Sequence, residues 1–399
     1  MARRFGPGLL ITAAFIGPGT VTTASTAGAG FGLTLTWALL FSVVTTIILQ
    51  EMAARLGIVT RQGISETLRS HLRQPWLRFF ALGLVIVAIG LGNAAYQTGN
   101  LLGATLGAAA LLPVDSFWLT LTITSFATLL LASGTYRLIE SVLILMVILM
   151  SLVFIAAFLL APPSLTDLID GLIPTGLPDA ATLTVIALIG TTVVPYNLFL
   201  HANSVQQAWG KELDTQQALT GARWDTGLSV SLGGLVTLAI MSTAATAFFG
   251  TGTTVSGATL ATQLEPVLGV QARYFIAAGL LAAGLTSAVT APLAAAYAIC
   301  GAMGWPAELR SLHFRLSWLA IMVFGATFAL LQSKPLYAIL IAQAANGLLL
   351  PFITAILLWV MNLPALGGYR NRLLANFLGG AILLITLLLG GYKLFSLLG

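Results

Sequence analysis

Apolar positions in this chain run in long blocks, with polar and charged residues gathered in the short stretches between them. Crossing a hydrocarbon core takes roughly 20 apolar residues, more when the helix is tilted. Eleven blocks meet that measure: 8–31, 33–54, 78–111, 116–133, 138–161, 182–209, 226–249, 271–302, 315–331, 335–361 and 372–397. Gly-rich turns, Pro162-Pro163 and a Gly, Thr and Ser run at 250–256 punctuate them. The pattern predicts an all-α integral membrane protein with 11 transmembrane helices, forming a single domain over 1–399. Segments 8–161 and 182–361 then form two halves of five helices each, and 372–397 is an addition.

Two blocks break in the middle. Gly17-Pro18-Gly19-Thr20 and Val194-Pro195-Tyr196-Asn197 place prolines 177 positions apart, each inside a predicted span. Proline lacks an amide donor and clashes with the preceding turn, so helix interiors exclude it. In a bilayer, irregular backbone survives only where it lines a cavity or is buried in protein. Interrupted spans at matching places in two halves point to the binding site of a secondary transporter.

Composition supports the membrane reading. Hydrophobic residues make up 58% and charged residues 7%, with a mean hydropathy of +0.98. With the N-terminus cytoplasmic, 14 of the 17 basic residues fall inside and only Arg273, Lys334 and Lys393 outside. The two halves are then oppositely oriented, as an inverted repeat requires. The net charge of +5 is scattered over span ends, which argues against nucleic acid as a partner. The expected partners are the lipid bilayer and a small-molecule or inorganic-ion substrate, with no protein partner evident. The lone Cys300 excludes an internal disulfide and a cysteine-built metal site. The first apolar run continues past Gly30 without a convincing cleavage site, so it reads as a span and not as a signal peptide.

A helix that stops and restarts leaves unpaired carbonyls at one end and unpaired amides at the other. The amide end favours an anion and the carbonyl end a cation. Thr20, Thr22, Thr23, Ser25 and Thr26 give the first span an unusual density of hydroxyls. Thr20 is a candidate cap for the restarted half-helix, although such hydroxyls also bond their own backbone. Tyr196 and Asn197 follow the second proline, and His201 lies one turn beyond Asn197. A histidine inside a span is a functional candidate by default.

These residues resemble the Nramp (natural resistance-associated macrophage protein) family. Gly6-Pro7-Gly8, the stretch Gln50-Glu51-Met52-Ala53-Ala54-Arg55-Leu56-Gly57, Asn197-Leu198-Phe199-Leu200-His201, and Gln343 with Asn346 carry the likeness. The resemblance implies a LeuT-like fold, an inverted 5+5 repeat with broken first and sixth helices, and proton-coupled import of divalent transition metals. The sequence departs from the family at the breaks. The family reads Asp-Pro-Gly-Asn and Met-Pro-His-Asn there; Gly17, Thr20, Val194 and Tyr196 stand at four of those positions. Gln97 and Asn100 align with proton-linked carboxylates of the third span.

All twelve acids fall in loops or near span ends, leaving none for the midplane. A divalent cation stripped of water needs anionic or strongly donating ligands in return. On that argument the expected function is import of a small anion, such as bicarbonate or a small carboxylate, by alternating access coupled to sodium or protons. The expected substrate site is Gly17, Gly19, Thr20, Thr23, Val194, Tyr196, Asn197 and Gln343. No cofactor is expected beyond a bound sodium ion. Ala14, Gly17, Thr286 and Ser287 would hold that coupling ion, with His201 as the site of proton coupling. The alternative is a divalent cation transporter (manganese or magnesium) with an uncharged site, and a further alternative is a sensor that transports nothing. An enzyme is not expected: no nucleophile–base pair, metal cluster or phosphate loop stands out.

Overall fold

The computed structural model describes residues 6–398 apart from 161, 175, 177, 179–180, 210–213 and 332–334; the side chains of 257, 258, 261, 267, 335, 336 and 392–398 are also outside the description. Arg3, Arg4, Asp179, Lys211, Glu212 and Lys334, and the side chain of Lys393, therefore lie outside the described residues.

The first half comprises α1 (Pro7–Phe15), α2 (Pro18–Phe31), α3 (Thr36–Thr60), α4 (Ile64–His71), α5 (Pro75–Val85), α6 (Gly92–Leu111), α7 (Ser116–Ala132) and α8 (Tyr136–Leu160). After α9 (Leu165–Asp170), the second half holds α10 (Ala181–Thr192), α11 (Pro195–Trp209), α12 (Thr215–Phe248), α13 (Gly257–Thr262), α14 (Glu265–Leu268), α15 (Ala272–Met303), α16 (Leu312–Leu331) and α17 (Pro335–Met361). A final helix, α18 (Leu373–Leu398), follows. Among the described residues nine helical segments are long and apolar enough to cross a membrane, and the bent pair α1–α2 makes a tenth. The 17-residue α7 occupies the place of the remaining expected span.

Both breaks are present, but they differ in shape. The first is a sharp bend: α1 and α2 diverge by 57°. Gly17 sits between them in extended conformation (φ −110°, ψ −176°), and Pro18 opens α2, where its missing amide has no partner to lose. Across the second break α10 and α11 continue as one 29-residue span, interrupted only at Val193 and Val194.

Span ends moved where polar turns belong to a helix. The span expected at 226–249 begins at Thr215, because Asp214 caps it through the Gln216 amide and its first turns are too polar to register as apolar. The span expected at 33–54 continues to Thr60, held by an ion pair between Glu51 and Arg55 one turn apart. The third span contains an unexpected π-helical segment at Ile86–Leu91.

Lipid offers apolar helices no hydrophobic reason to associate, so close packing of small residues does the work. Ala104 and Pro18 leave no room for a side chain at Gly284 and Gly103 respectively, which seats α6 against both α15 and the first break. Amides reinforce the contact: Asn93 Nδ2 donates to the Ala291 carbonyl and Gln97 Nε2 to that of Ala288, both at 3.0 Å.

Candidate functional site

The breaks meet at the carbonyl end of α1. The Ala14 carbonyl accepts the Tyr196 hydroxyl at 3.2 Å and the Ser287 hydroxyl at 3.4 Å. The Phe15 carbonyl accepts the Thr20 hydroxyl, whose oxygen is also 2.9 Å from Thr191 Oγ1 on α10. One half-helix of the first span is thereby tied to the second half of the molecule through both of its last carbonyls.

The expectation that Thr20 caps α2 is corrected. Gly17 is the N-cap residue, and the Thr20 side chain turns back across the break to α1. The reason is local: with Gly17 extended and Pro18 at the first helical position, Thr20 is already inside the first turn. Its hydroxyl meets the carbonyl of Phe15, which also accepts the Gly17 amide, instead of the amides of its own helix. Among its neighbours, Thr26 bonds its own helix at the Thr22 carbonyl, and Ser25 bonds Gln263 Oε1 at 2.6 Å.

Gly17 and Gly19 are there because neighbours occupy the space of a side chain. A Cβ at Gly17 would meet Ser287 Oγ, with Tyr96 Oη 3.7 Å away; a Cβ at Gly19 would meet the Gln343 amide. Tyr96 stacks edge-on against Tyr196 with ring centroids 5.4 Å apart. Val194 is buried at the second break and brings only an apolar side chain.

Several polar atoms around the breaks are buried without a hydrogen-bond partner among the described residues. They include both side-chain polar atoms of Asn197, Gln343 Oε1, Tyr96 Oη, Thr23 Oγ1 and Asn346 Nδ2. Buried polar groups are normally paired, so a concentration of orphans marks a place built to meet something polar. Thr20, Tyr196, Asn197 and His201 have no solvent exposure, and the breaks are sealed in this structure.

The remaining expected residues divide. His201 turns to α3, where Nδ1 lies 2.9 Å from Gln50 Oε1, while Nε2 has no partner. Ser287 reaches α1, but the Thr286 hydroxyl donates to the Ala283 carbonyl of its own helix. Gln97 and Asn100 bond one another at 3.4 Å, and Gln97 bolts α6 to α15. No group of three or more His, Cys, Asp or Glu side chains comes together among the described residues.

Three residues escaped the sequence reading. Tyr96, Thr191 and Asp225 all contact the first broken span or its partner. A signal existed for Tyr96: Asn93, Tyr96, Gln97 and Asn100 form a polar stripe at helical spacing in an apolar span. Asp225 was assigned to a span edge; it caps α1 from α12, accepting the Gly8 amide at 2.7 Å and the Gly6 amide at 3.2 Å.

The fold and its paired breaks define a multi-pass membrane protein of the broken-helix transporter class. The chain belongs to the Nramp family: the model described as natural resistance-associated macrophage protein-like matches residues 8–396. It is 30% identical to the divalent metal cation transporter MntH of Chromohalobacter salexigens, over 98% of this chain and 91% of that protein. It is 28% identical to the MntH of Klebsiella pneumoniae subsp. pneumoniae, over 99% and 94%. Among solved structures it is similar to a mutant of the Eremococcus coleocola manganese transporter (TM-score 0.79, 22% identity, 98% of this chain and 86% of that one). The nucleobase-cation-symport-1 transporter Mhp1 shares the fold (TM-score 0.62, 14% identity, 88% and 76%).

The expectation of anion import is overturned by these relatives, which are named as transporters of divalent metal cations along nearly the whole chain. Of the hydroxyls that could serve an anion, those of Thr20 and Tyr196 already donate to α1 carbonyls, although Asn197 Nδ2 is left unpaired.

Proposed function

We propose that this chain is a secondary transporter of a divalent metal cation, taken up as a partly hydrated hard ion such as magnesium or manganese. Its similarity to divalent metal cation transporters over 98% of its length carries the reading. The donor set shapes it. Carboxylate and thioether ligands are absent from positions 17 and 194, so the site has little to offer a fully stripped or soft ion. Magnesium gives up its water reluctantly and commonly keeps several molecules. Bound waters donate hydrogen bonds, and Asn197 Oδ1, Gln343 Oε1 and the hydroxyl oxygens of Tyr96 and Thr23 are acceptors without a partner. In this reading Gly17 and Gly19 let Ser287 and Gln343 approach the break closely, and Ala14 and Phe15 lend carbonyl dipoles.

Charge at the ends of the molecule supports the same sign. A cavity of about 680 Å³ at the end of α2 has Asp167 and Asp170 as its charged lining residues. With the N-terminus cytoplasmic, in the plasma membrane, this cavity faces outward and concentrates cations. Entry of a cation is also favoured by an inside-negative potential, by about 2.3 kcal/mol per charge per 100 mV. A divalent cation therefore needs no driving ion for entry, and the potential alone suffices. Ala14 and Ser287 then close the site, and His201 with Gln50 braces α11 against α3.

Purified protein in liposomes tests this. Uptake of magnesium or manganese under an inside-negative potential supports the reading, and uptake of neither, by protein that is folded and correctly inserted, refutes it.

A further inference from the structure

At the opposite end of the molecule from the acidic cavity, the ends of α3 and α12 and the segment joining α17 to α18 enclose a second cavity, of about 420 Å³. Its charged lining is four guanidiniums (Arg55, Arg223, Arg370 and Arg372) and one carboxylate, Glu51. Glu51 is shared: Arg55 Nη2 and Arg223 Nη2 each lie 2.9 Å from one of its oxygens. Arg55 is buried and fully engaged, donating also to the Tyr369 carbonyl at 2.7 Å and Asn371 Oδ1 at 2.9 Å. Of the other three, Arg223 shares Glu51 with Arg55, while Arg370 and Arg372 have no ion-pair partner among the described residues. Arg223 is half exposed, Arg372 is exposed, and Arg370 is exposed and anchored only through Nε, to the Gly367 carbonyl at 3.1 Å. The nearest further acid along the chain, Asp225, is two residues from Arg223 and turns to α1, where its two oxygens accept the Gly6 and Gly8 amides; Asp214 caps the start of α12 at the Gln216 amide. Four guanidiniums against one carboxylate leave the lining of the cavity with a net charge of +3.

Guanidinium groups in a fixed array match the geometry of phosphate, which they can grip through paired hydrogen bonds. The surroundings say where that phosphate comes from. Trp224, Leu373, Leu374 and Phe377 are exposed apolar residues on the same helices. On a membrane protein such residues face acyl chains, so headgroup chemistry and tail chemistry adjoin. With the proposed orientation the cavity opens at the cytoplasmic leaflet, where basic pockets between helix ends take anionic headgroups.

We infer that this cavity is a binding site for the phosphate of an anionic phospholipid. Arg370, Arg372 and Arg223 hold the headgroup, Arg55 and Glu51 set the floor, and Leu374 and Phe377 lie along the tails.

Native mass spectrometry of the purified full chain in detergent, with equal amounts of phosphatidylglycerol and phosphatidylcholine, reads the preference directly. Wild type retains phosphatidylglycerol over phosphatidylcholine by about tenfold. Arg370→Gln with Arg372→Gln lowers that preference about tenfold, while Arg370→Lys with Arg372→Lys keeps most of it. An unchanged thermal melt shows that both variants are folded; both positions are exposed. Equal retention of the two lipids by wild type, or an undiminished preference in the glutamine variant, overturns the site. Displacement of phosphatidylglycerol by millimolar inorganic phosphate overturns the lipid assignment, and no displacement supports it. Metal uptake does not enter this readout, so the inference fails or stands apart from the proposed transport function.

Discussion

The hydroxyl of Tyr196, at the start of α11, donates to the carbonyl of Ala14 near the end of α1, 3.2 Å away. This bond joins the two broken spans at the point where each stops being a regular helix. Together with the Thr20–Phe15 and Thr20–Thr191 contacts it holds the site shut. A substrate that binds here has to compete with side chains already occupying the α1 carbonyls.

Restoring a carboxylate at the first break tests how a neutral site limits affinity. Gly17→Asp alone collides with Ser287 Oγ, so the informative variant pairs it with Ser287→Ala. We expect its KM for manganese uptake to fall about tenfold or more, since hydrogen bonds and contacts to a charged group are worth about 1.5–3 kcal/mol. An unchanged KM in folded, active protein would place the ion elsewhere.

Thr20→Val keeps the shape of the side chain and removes its hydroxyl. The Phe15 carbonyl and Thr191 each lose a buried partner, at a cost of about 1 kcal/mol for each bond. The variant should melt below wild type in detergent and bind metal no more weakly. A melt equal to that of wild type would mean that Thr20 does not hold the break closed.

Asp225 holds the N-terminal half of the first span from outside its own helix. Losing a helix cap costs about 0.5–2 kcal/mol, so Asp225→Ala should make the opening of α1 about tenfold more frequent. A reporter cysteine at Leu10, in a background where Cys300 is Ala, reads this as a faster rate of thiol labelling. An unaltered rate would rule out Asp225 as a latch.

Membrane potential, in place of an ion gradient, should set the accumulation of substrate. For two charges at −100 mV the equilibrium ratio is about three orders of magnitude. Clamping the potential to zero with potassium and valinomycin should abolish accumulation, and imposed sodium or proton gradients should not restore it. Restoration by either gradient would return His201 or the Ala14–Ser287 pair to a coupling role.

Much of the fold was legible in the chain because a bilayer constrains it so tightly. Length and apolarity located the spans, and Pro18 and Pro195 located the breaks. The ends of α3 and α12 were harder to read, since Arg55 and the polar turns before Asp225 are helical through ion pairing and capping, which hydropathy does not sense. The site was legible in its residues but not in its sign. The absence of acids from the midplane pointed to an anion. Only three-dimensional contacts show Thr20 and Tyr196 donating to carbonyls while Asn197 Oδ1 and Gln343 Oε1 remain unpaired. Tyr96 was missed because an aromatic in an apolar span looks like packing until its neighbours across the helix interface are known.

The most direct test of the account compares uptake of magnesium, manganese and radiolabelled bicarbonate by one preparation of proteoliposomes held at an inside-negative potential. The account predicts accumulation of a divalent cation and none of bicarbonate. Bicarbonate uptake without either metal would contradict it, and would mean that a neutral site of this shape carries an anion despite its family.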